Sequence, residues 1–228
     1  MLTRWHQSIT SLGMGNAMLY AVHRLLDRAS SGRLRIVKYL IVAQPVSNAS
    51  DERLRADPAI CIECIVADHH LVQSFPRPAA VIAKRYRDGA VCLAATHSAA
   101  FAGFLWWQRG SYEEDEVRCL FALTEPVLAT WDFDVYVAPQ FRFGRMMARL
   151  WQHANRMLYD DGVRWSFSRI SAFNPASLAA HSRLGIVRLS SAVFLVAGSF
   201  QVALFTQRPF VHLSWHAADR PVLYLSVP

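Results

Sequence analysis

The segment WDFDVYVAPQFRFGRMMARLW, residues 131–151, constrains the fold more than any other part of the chain. Its first half is aromatic and β-branched and reads as a strand that ends at Val137, with Pro139 breaking it. Over residues 141–160, Met146, Met147, Leu150, Trp151, Ala154, Met157 and Leu158 then recur on one side of a helix. A strand that passes within a few residues into a long amphipathic helix places the chain in the α/β (α+β) class.

The other elements follow from the same periodicities. Residues 16–29 set Met18, Val22, Leu25 and Leu26 at helical spacing, with Arg24, Asp27 and Arg28 on another face. RIVKYLIVAQPV is a strand stopped by Pro45, residues 46–57 are a polar loop with a short helix, and ICIECIVA is a further strand. PAAVIAKRYRDG is a helix closed by Gly89. AVCLAATH and AFAGFLWWQ form an antiparallel hairpin, and EVRCLFAL, TWDFDVYV and VRWSFSRI are strands. No linker, repeat or low-complexity segment interrupts the chain. One domain over 1–228 is expected, with a helical extension at 1–30, a core at 35–207 and a strand segment at 208–228 that serves as an edge strand or a dimer contact.

Leu189–Gln207 carries no formal charge and is about as long as a membrane span. Gly198 and Ser199 lie in its middle, so two strands joined by an AGSF turn are expected, and no membrane span. The N-terminal residues lack the pattern of a secretion signal, which points to the cytoplasm. A net charge of +7 favours acidic partners. Because the Lys and Arg residues are scattered, the charge does not mark a nucleic-acid tail. Cys61 and Cys64 form a lone CxxC in an apolar strand and are expected as buried thiols, not zinc ligands. His69 and His70 are adjacent strand residues and face opposite sides. No metal site is expected.

The chemistry concentrates in two places. The helix after Pro139 begins with unpaired N–H groups and a partial positive charge, and Arg142 and Arg145 add full charges at the same mouth, which suits a phosphate group. In SAFNPASLAAHSRLG, Asn174 is an N-cap, Pro175 suits the first helical position and Gly185 ends the helix. Asn174, Ser177 and His181 lie along one stripe of that helix.

Together the two segments resemble the acetyl-CoA-binding half of the GNAT superfamily of N-acetyltransferases. That family shows a strand running into V-x-P-x-x-R-G-x-G-x-G/A, then a helix, a strand and N-x-x-A/S-x-x-x-Y-x-x-x-G. Val137, Pro139 and Arg142 match the first motif, and Asn174, Ser177 and Gly185 the second, while His181 stands where the family has tyrosine. The resemblance covers 90–200, and more weakly 35–90 as the family's first strand and two helices. One departure is plain: Phe143 and Arg145 occupy the positions of the expected glycines, and Gly144 stands alone between them.

The resemblance implies a mixed, largely antiparallel central sheet flanked by helices, with an extra N-terminal helix, splayed near TWDFDVYV and VRWSFSRI. It implies acetyl-CoA or another acyl-CoA as co-substrate, with the backbone at Tyr136 and Val137 pairing with the pantetheine arm. Arg142, Phe143, Gly144, Arg145, Met146 and Met147 would cradle the pyrophosphate, and Asn174 and Ser177 would contact the cofactor or hold the helix. An amine would attack the thioester directly. His181 is the candidate acid for the leaving thiolate, since imidazolium at pKa ~6.5 can protonate a thiolate of pKa ~8.5. Asp134 is the candidate for binding or deprotonating a cationic amine, with Asp132 on the same side, and Trp106, Trp107 and Trp165 could line an apolar pocket. The acceptor is a small-molecule or protein amine. Two other readings stay open: a long-chain acyltransferase that draws on acyl-CoA or an acyl-carrier protein, and a binding module of this fold without turnover. Nucleic-acid binding rests on charge alone.

Overall fold

The computed structural model describes residues 10, 12–49, 54–216 and 218–228. In chain order the elements are α1 Met14–Ala29, β1 Leu34–Pro45, β2 Ile60–Ile65, α2 Ala79–Arg87, β3 Val91–His97, β4 Ala100–Gln108, β5 Ser111–Glu113, β6 Leu120–Leu123, β7 Ala129–Val137, α3 Met146–Asp160, β8 Trp165–Ser171, α4 Pro175–Ser182, β9 Val187–Ala197, β10 Phe200–Phe205, β11 Val211–Ser214 and β12 Val222–Leu225. They gather into two compact units, one of Met1–Pro45, Ser111–Thr124 and Phe167–Pro228, the other of Val46–Gly110 and Glu125–Ser166. Each unit is assembled from separated stretches of chain, which is why no linker composition marks a boundary.

In the first unit the strands run in the order β11-β10-β9-β1-β8, and β12, β6 and β5 form a separate small sheet. β1 pairs antiparallel with β9 from Leu34↔Ala197 to Ala43↔Val187, with a register shift at Ile41/Val42. The uncharged stretch resolves into β9 and β10 around Gly198 at φ +60. No helix among the described residues is long and apolar enough to cross a membrane. The C-terminal segment divides: β11 takes the outer position beside β10, and β12 pairs in parallel with β6. β5 and β12 are too short to announce themselves by alternation.

The second unit orders its strands β7-β4-β3-β2. A cluster that includes Ile65, Leu71, Phe75, Ile82, Cys92, Phe104 and Trp106 fills one side. α3 buries Met146, Leu150, Trp151, Ala154 and Leu158. It starts at Met146 rather than near 141, because Pro139–Phe141 form a 3-10 turn and Arg142–Arg145 a further turn.

Three expectations change. The strand at 34–45 is not the family-like first strand: it pairs with β9, and β2 is the strand that precedes α2 and pairs with β3. Cys61 and Cys64 are exposed, since β2 is the outermost strand of its unit and pairs on one side only. His69 and His70 are not strand residues; they open a 3-10 turn with ring centroids 4.4 Å apart. α1 presents Met18, Val22 and Leu25 to solvent.

Candidate functional site

The second unit builds a strand end and a helix start around β7. Ala138 donates its N–H to the carbonyl of Ala102 at 2.9 Å, so it faces β4. Tyr136 faces the same way, because a Cβ on Gly103 would collide with its carbonyl oxygen. Val137, between them, turns its N–H and C=O to the opposite side. There its carbonyl accepts Nε of Arg142 at 3.0 Å. Of the two residues expected to pair with a pantetheine arm, Tyr136 therefore has its backbone committed to β4, and Val137 points outward. The Tyr136 ring is flanked by guanidinium groups, Arg77 at 5.7 Å and Arg142 at 5.8 Å from its centroid.

Beyond Val137 the chain exposes Arg142, Phe143, Gly144 and Arg145. Gly144 donates its N–H to Phe141 at 3.1 Å, so this group is already used inside the turn. Arg145 is the N-cap of α3, makes no side-chain cap, and no acid stands in the first turn. The N–H groups of Met146, Met147 and Ala148 have no acceptor among the described residues, and they converge with the positive end of the helix macrodipole. These donors overlap the expected 142–147 segment only at Met146 and Met147, and Ala148 lies outside it. An anion fits here: three backbone donors, with Arg142 and Arg145 in the preceding turn and no acidic residue in the first turn of the helix itself.

Asp134 is held differently from the expectation. Arg77 grips it with Nε to Oδ2 at 2.8 Å and Nη2 to Oδ1 at 2.7 Å, and Arg85 adds Nη1 to Oδ2 at 2.8 Å. A carboxylate engaged by two cations is neither a base for an ammonium group nor a partner for one. Asp132 does not share its side. A register shift opposite Trp106/Trp107 breaks the alternation, and Asp132 accepts from Oγ of Ser166 at 2.8 Å. Trp106 and Trp107 are buried in the core, with Arg85 over the Trp106 ring at 5.3 Å, while Trp165 is half-buried. Neither Arg77 nor Arg85 carried a sequence signal, because their role depends on a chain crossing 57 and 49 residues away.

Asn174, Ser177 and His181 come together in the first unit. Asn174 Oδ1 accepts the N–H of Ser177 at 3.0 Å, which makes it the N-cap of α4 with Pro175 in the first position. Gly185 follows the helix at φ +75. His181 is buried, and its Nδ1 lies 2.8 Å from the Ser177 carbonyl, an acceptor only. Nδ1 therefore carries a proton, and any proton that His181 passes on moves through Nε2. Among the described residues no group of His, Cys, Asp and Glu is arranged to hold a metal ion.

Neither a protein-family profile nor a curated relative matches the chain. Solved structures similar to it include GNAT acetyltransferases. A tandem GNAT protein from the clavulanic acid biosynthesis pathway is 15% identical over 75% of this chain and 55% of its own, with a TM-score of 0.49. A conserved protein of unknown function from Staphylococcus epidermidis is 14% identical over 77% of this chain and 67% of its own, with a TM-score of 0.50. An aminoglycoside acetyltransferase from a soil metagenome is 11% identical over 56% of this chain and 88% of its own, with a TM-score of 0.41. At these identities the likeness is one of fold alone, and the chain spans only about half the length of the tandem protein.

Proposed function

We propose that the chain is an N-acyltransferase that moves an acyl group, acetyl foremost, from coenzyme A to an amine. One observation carries the reading: the N–H groups of Met146, Met147 and Ala148 have no acceptor among the described residues, and they follow a strand whose last residue, Val137, turns its backbone outward. That is what a diphosphate joined to an extended amide-bearing arm requires, with the diphosphate on the helix and the arm alongside the strand. The match of Val137, Pro139 and Arg142, and of Asn174, Ser177 and Gly185, to the two GNAT motifs supports it.

In the reaction the amine attacks the thioester carbonyl and gives up a proton to water, the C–S bond breaks, and the sulfur takes a proton and leaves as the thiol. We assign that proton to His181 through Nε2, because Nδ1 is committed to Ser177. Asp134 has no part in deprotonating the amine in this reading, because two arginines hold its carboxylate. The donor is CoA rather than an acyl-carrier protein in this reading, and the two are separated by direct competition.

Calorimetric titration with acetyl-CoA tests the proposal. Micromolar binding by the wild type, lost in Arg142→Glu, supports the site. Absence of binding by the wild type sinks the CoA reading, and binding without thiol release across a panel of amines sinks the enzymatic one.

A further inference from the structure

α1 is amphipathic in the unexpected sense. Its side toward β1 is the more polar one: Asn16 Oδ1 accepts from Lys38 Nζ at 2.9 Å, and His23 Nδ1 accepts the N–H of Ile36 at 3.2 Å. The opposite side, Met14, Met18, Val22 and Leu25, follows a spacing of four, four and three residues and is 68, 57, 45 and 67% exposed. A helix of 16 residues leaving its apolar stripe in water forgoes the main source of helix stability in folded proteins.

The sheet beneath shows a matching bare face. Lys38 pairs with Val193, Val193 with Leu204 and Leu204 with Val211, so these side chains share the face on which α1 lies. The next row, Ile36, Leu195, Val202 and Leu213, does the same. On the reverse face Ala192, Phe194, Ala203 and Phe205 are buried, as a core face should be. On the α1 face, Leu195, Leu204, Val211 and Leu213 remain 39–56% exposed, because α1 covers β1 and nothing described covers β9–β11.

We propose that both surfaces are closed by a second copy of this chain, with α1 of each protomer seated on the β9–β11 face of its partner. One unit offers an uncovered apolar helix stripe and, on the same side, an uncovered apolar sheet face, and each is the complement the other lacks. A two-fold axis uses both at once and leaves neither bare. The dimensions agree. β10 lies two strands from β1, and two spacings of ~4.8 Å bring a helix over β10 to the ~10 Å at which it also packs beside α1. The stripe points away from its own sheet, so the partner's sheet caps it from above and the two helices form the middle layer of a sheet–helix–sheet stack. Helix stripe and sheet face together supply on the order of the ~800 Å² per partner that a stable interface takes.

The test uses the full chain in sedimentation equilibrium, with two independent charge insertions, Val22→Glu on the helix and Leu204→Glu on the sheet. Both positions are exposed in the single chain, so circular dichroism should be unchanged. The wild type should sediment as a dimer, and each variant should weaken dimerisation by ~100-fold. In a Cys61→Ser/Cys64→Ser background, chains carrying Val22→Cys and chains carrying Leu204→Cys should form a mixed disulfide on oxidation. A monomeric wild type overturns the proposal, whether the stripe is then covered by residues 1–9 or, as flotation with anionic vesicles would show, by lipid. A dimer that ignores both charges and forms no mixed disulfide overturns it as well.

Discussion

Arg77 and Asp134 meet fork to fork, through bonds of 2.8 and 2.7 Å, and Arg85 closes the same carboxylate from the other side at 2.8 Å. The Asp134 and Arg85 side chains are 11 and 10% exposed and that of Arg77 is 31% exposed, so both arginines meet a largely buried carboxylate. This arrangement orders two variants. Arg77→Gln leaves the Asp134–Arg85 ion pair in place and should cost about 1 kcal/mol, whereas Asp134→Asn removes the charge that both arginines face and should cost about 3 kcal/mol. Urea denaturation of the two variants checks the order. Equal losses would mean that the Asp134 charge does not hold the cluster.

A second buried carboxylate anchors the first unit. The Glu114 side chain is fully buried, accepts Arg169 at 2.7 Å through both carboxylate oxygens, and takes a bond from the Tyr39 hydroxyl at 3.2 Å. Burial, reinforced by Glu114, pushes the Tyr39 phenol well above its ordinary range. Glu114→Gln should therefore cost about 3 kcal/mol, because it leaves the Arg169 guanidinium without its charge partner. Tyr39→Phe, which removes the hydroxyl's bonds to the Glu114 and Glu116 carboxylates, should cost about 2 kcal/mol, the value of a hydrogen bond to a charged group. Thermal unfolding of both variants decides it.

Two glycines near the candidate site should behave in opposite ways. At Gly103 a Cβ would run into the Tyr136 carbonyl and stand 3.3 Å from Leu150 and from the Val137 backbone. At Gly144 the nearest atom would be the Phe141 carbonyl at 3.4 Å, an ordinary contact. Gly103→Ala should force β4 and β7 apart and destabilise by about 2–3 kcal/mol, while Gly144→Ala should fold like the wild type. A Gly144→Ala protein as unstable as Gly103→Ala would show that the turn needs its glycine after all.

These contrasts show where the sequence was legible. Element type followed from period and punctuation: Pro139, Gly89 at φ +81 and Gly185 at φ +75 stop the elements they were expected to stop, and Asn174 caps α4. Neighbours in the sheet did not follow, because pairing β1 with β9 spans most of the chain and no local pattern encodes it. The same limit hid Arg77, Arg85 and Glu114, whose partners are distant in sequence. Gly103 did carry a signal, a glycine inside the apolar run AFAGFLWW, which marks close backbone approach. The α1 stripe was legible as a stripe, but periodicity does not show what lies against it.

His153 supplies a pH test. Burial, together with the nearby Arg156 charge, holds its imidazole below the ordinary histidine value. Below pH ~6.5 the unfolded chain therefore binds a proton that the folded chain resists, so stability falls as pH drops through that window. His153→Gln removes this term. Its loss of stability between pH 7 and 5 should be smaller than that of the wild type, and identical pH profiles would refute the assignment.

The backbone cradle can be tested without touching a charge. Proline is tolerated in the first turn of a helix, where its missing N–H breaks no intrahelical bond. Met147 occupies the second position of α3, and its N–H is one of the three donors without an acceptor among the described residues. Met147→Pro should leave the circular dichroism and unfolding midpoint near those of the wild type, yet weaken acetyl-CoA binding by roughly tenfold, the value of one hydrogen bond to a charged group. Met147→Ala, which keeps the N–H, should bind as the wild type does. If the proline variant binds equally well, the diphosphate does not rest on this helix, and the case for CoA as donor loses its main support.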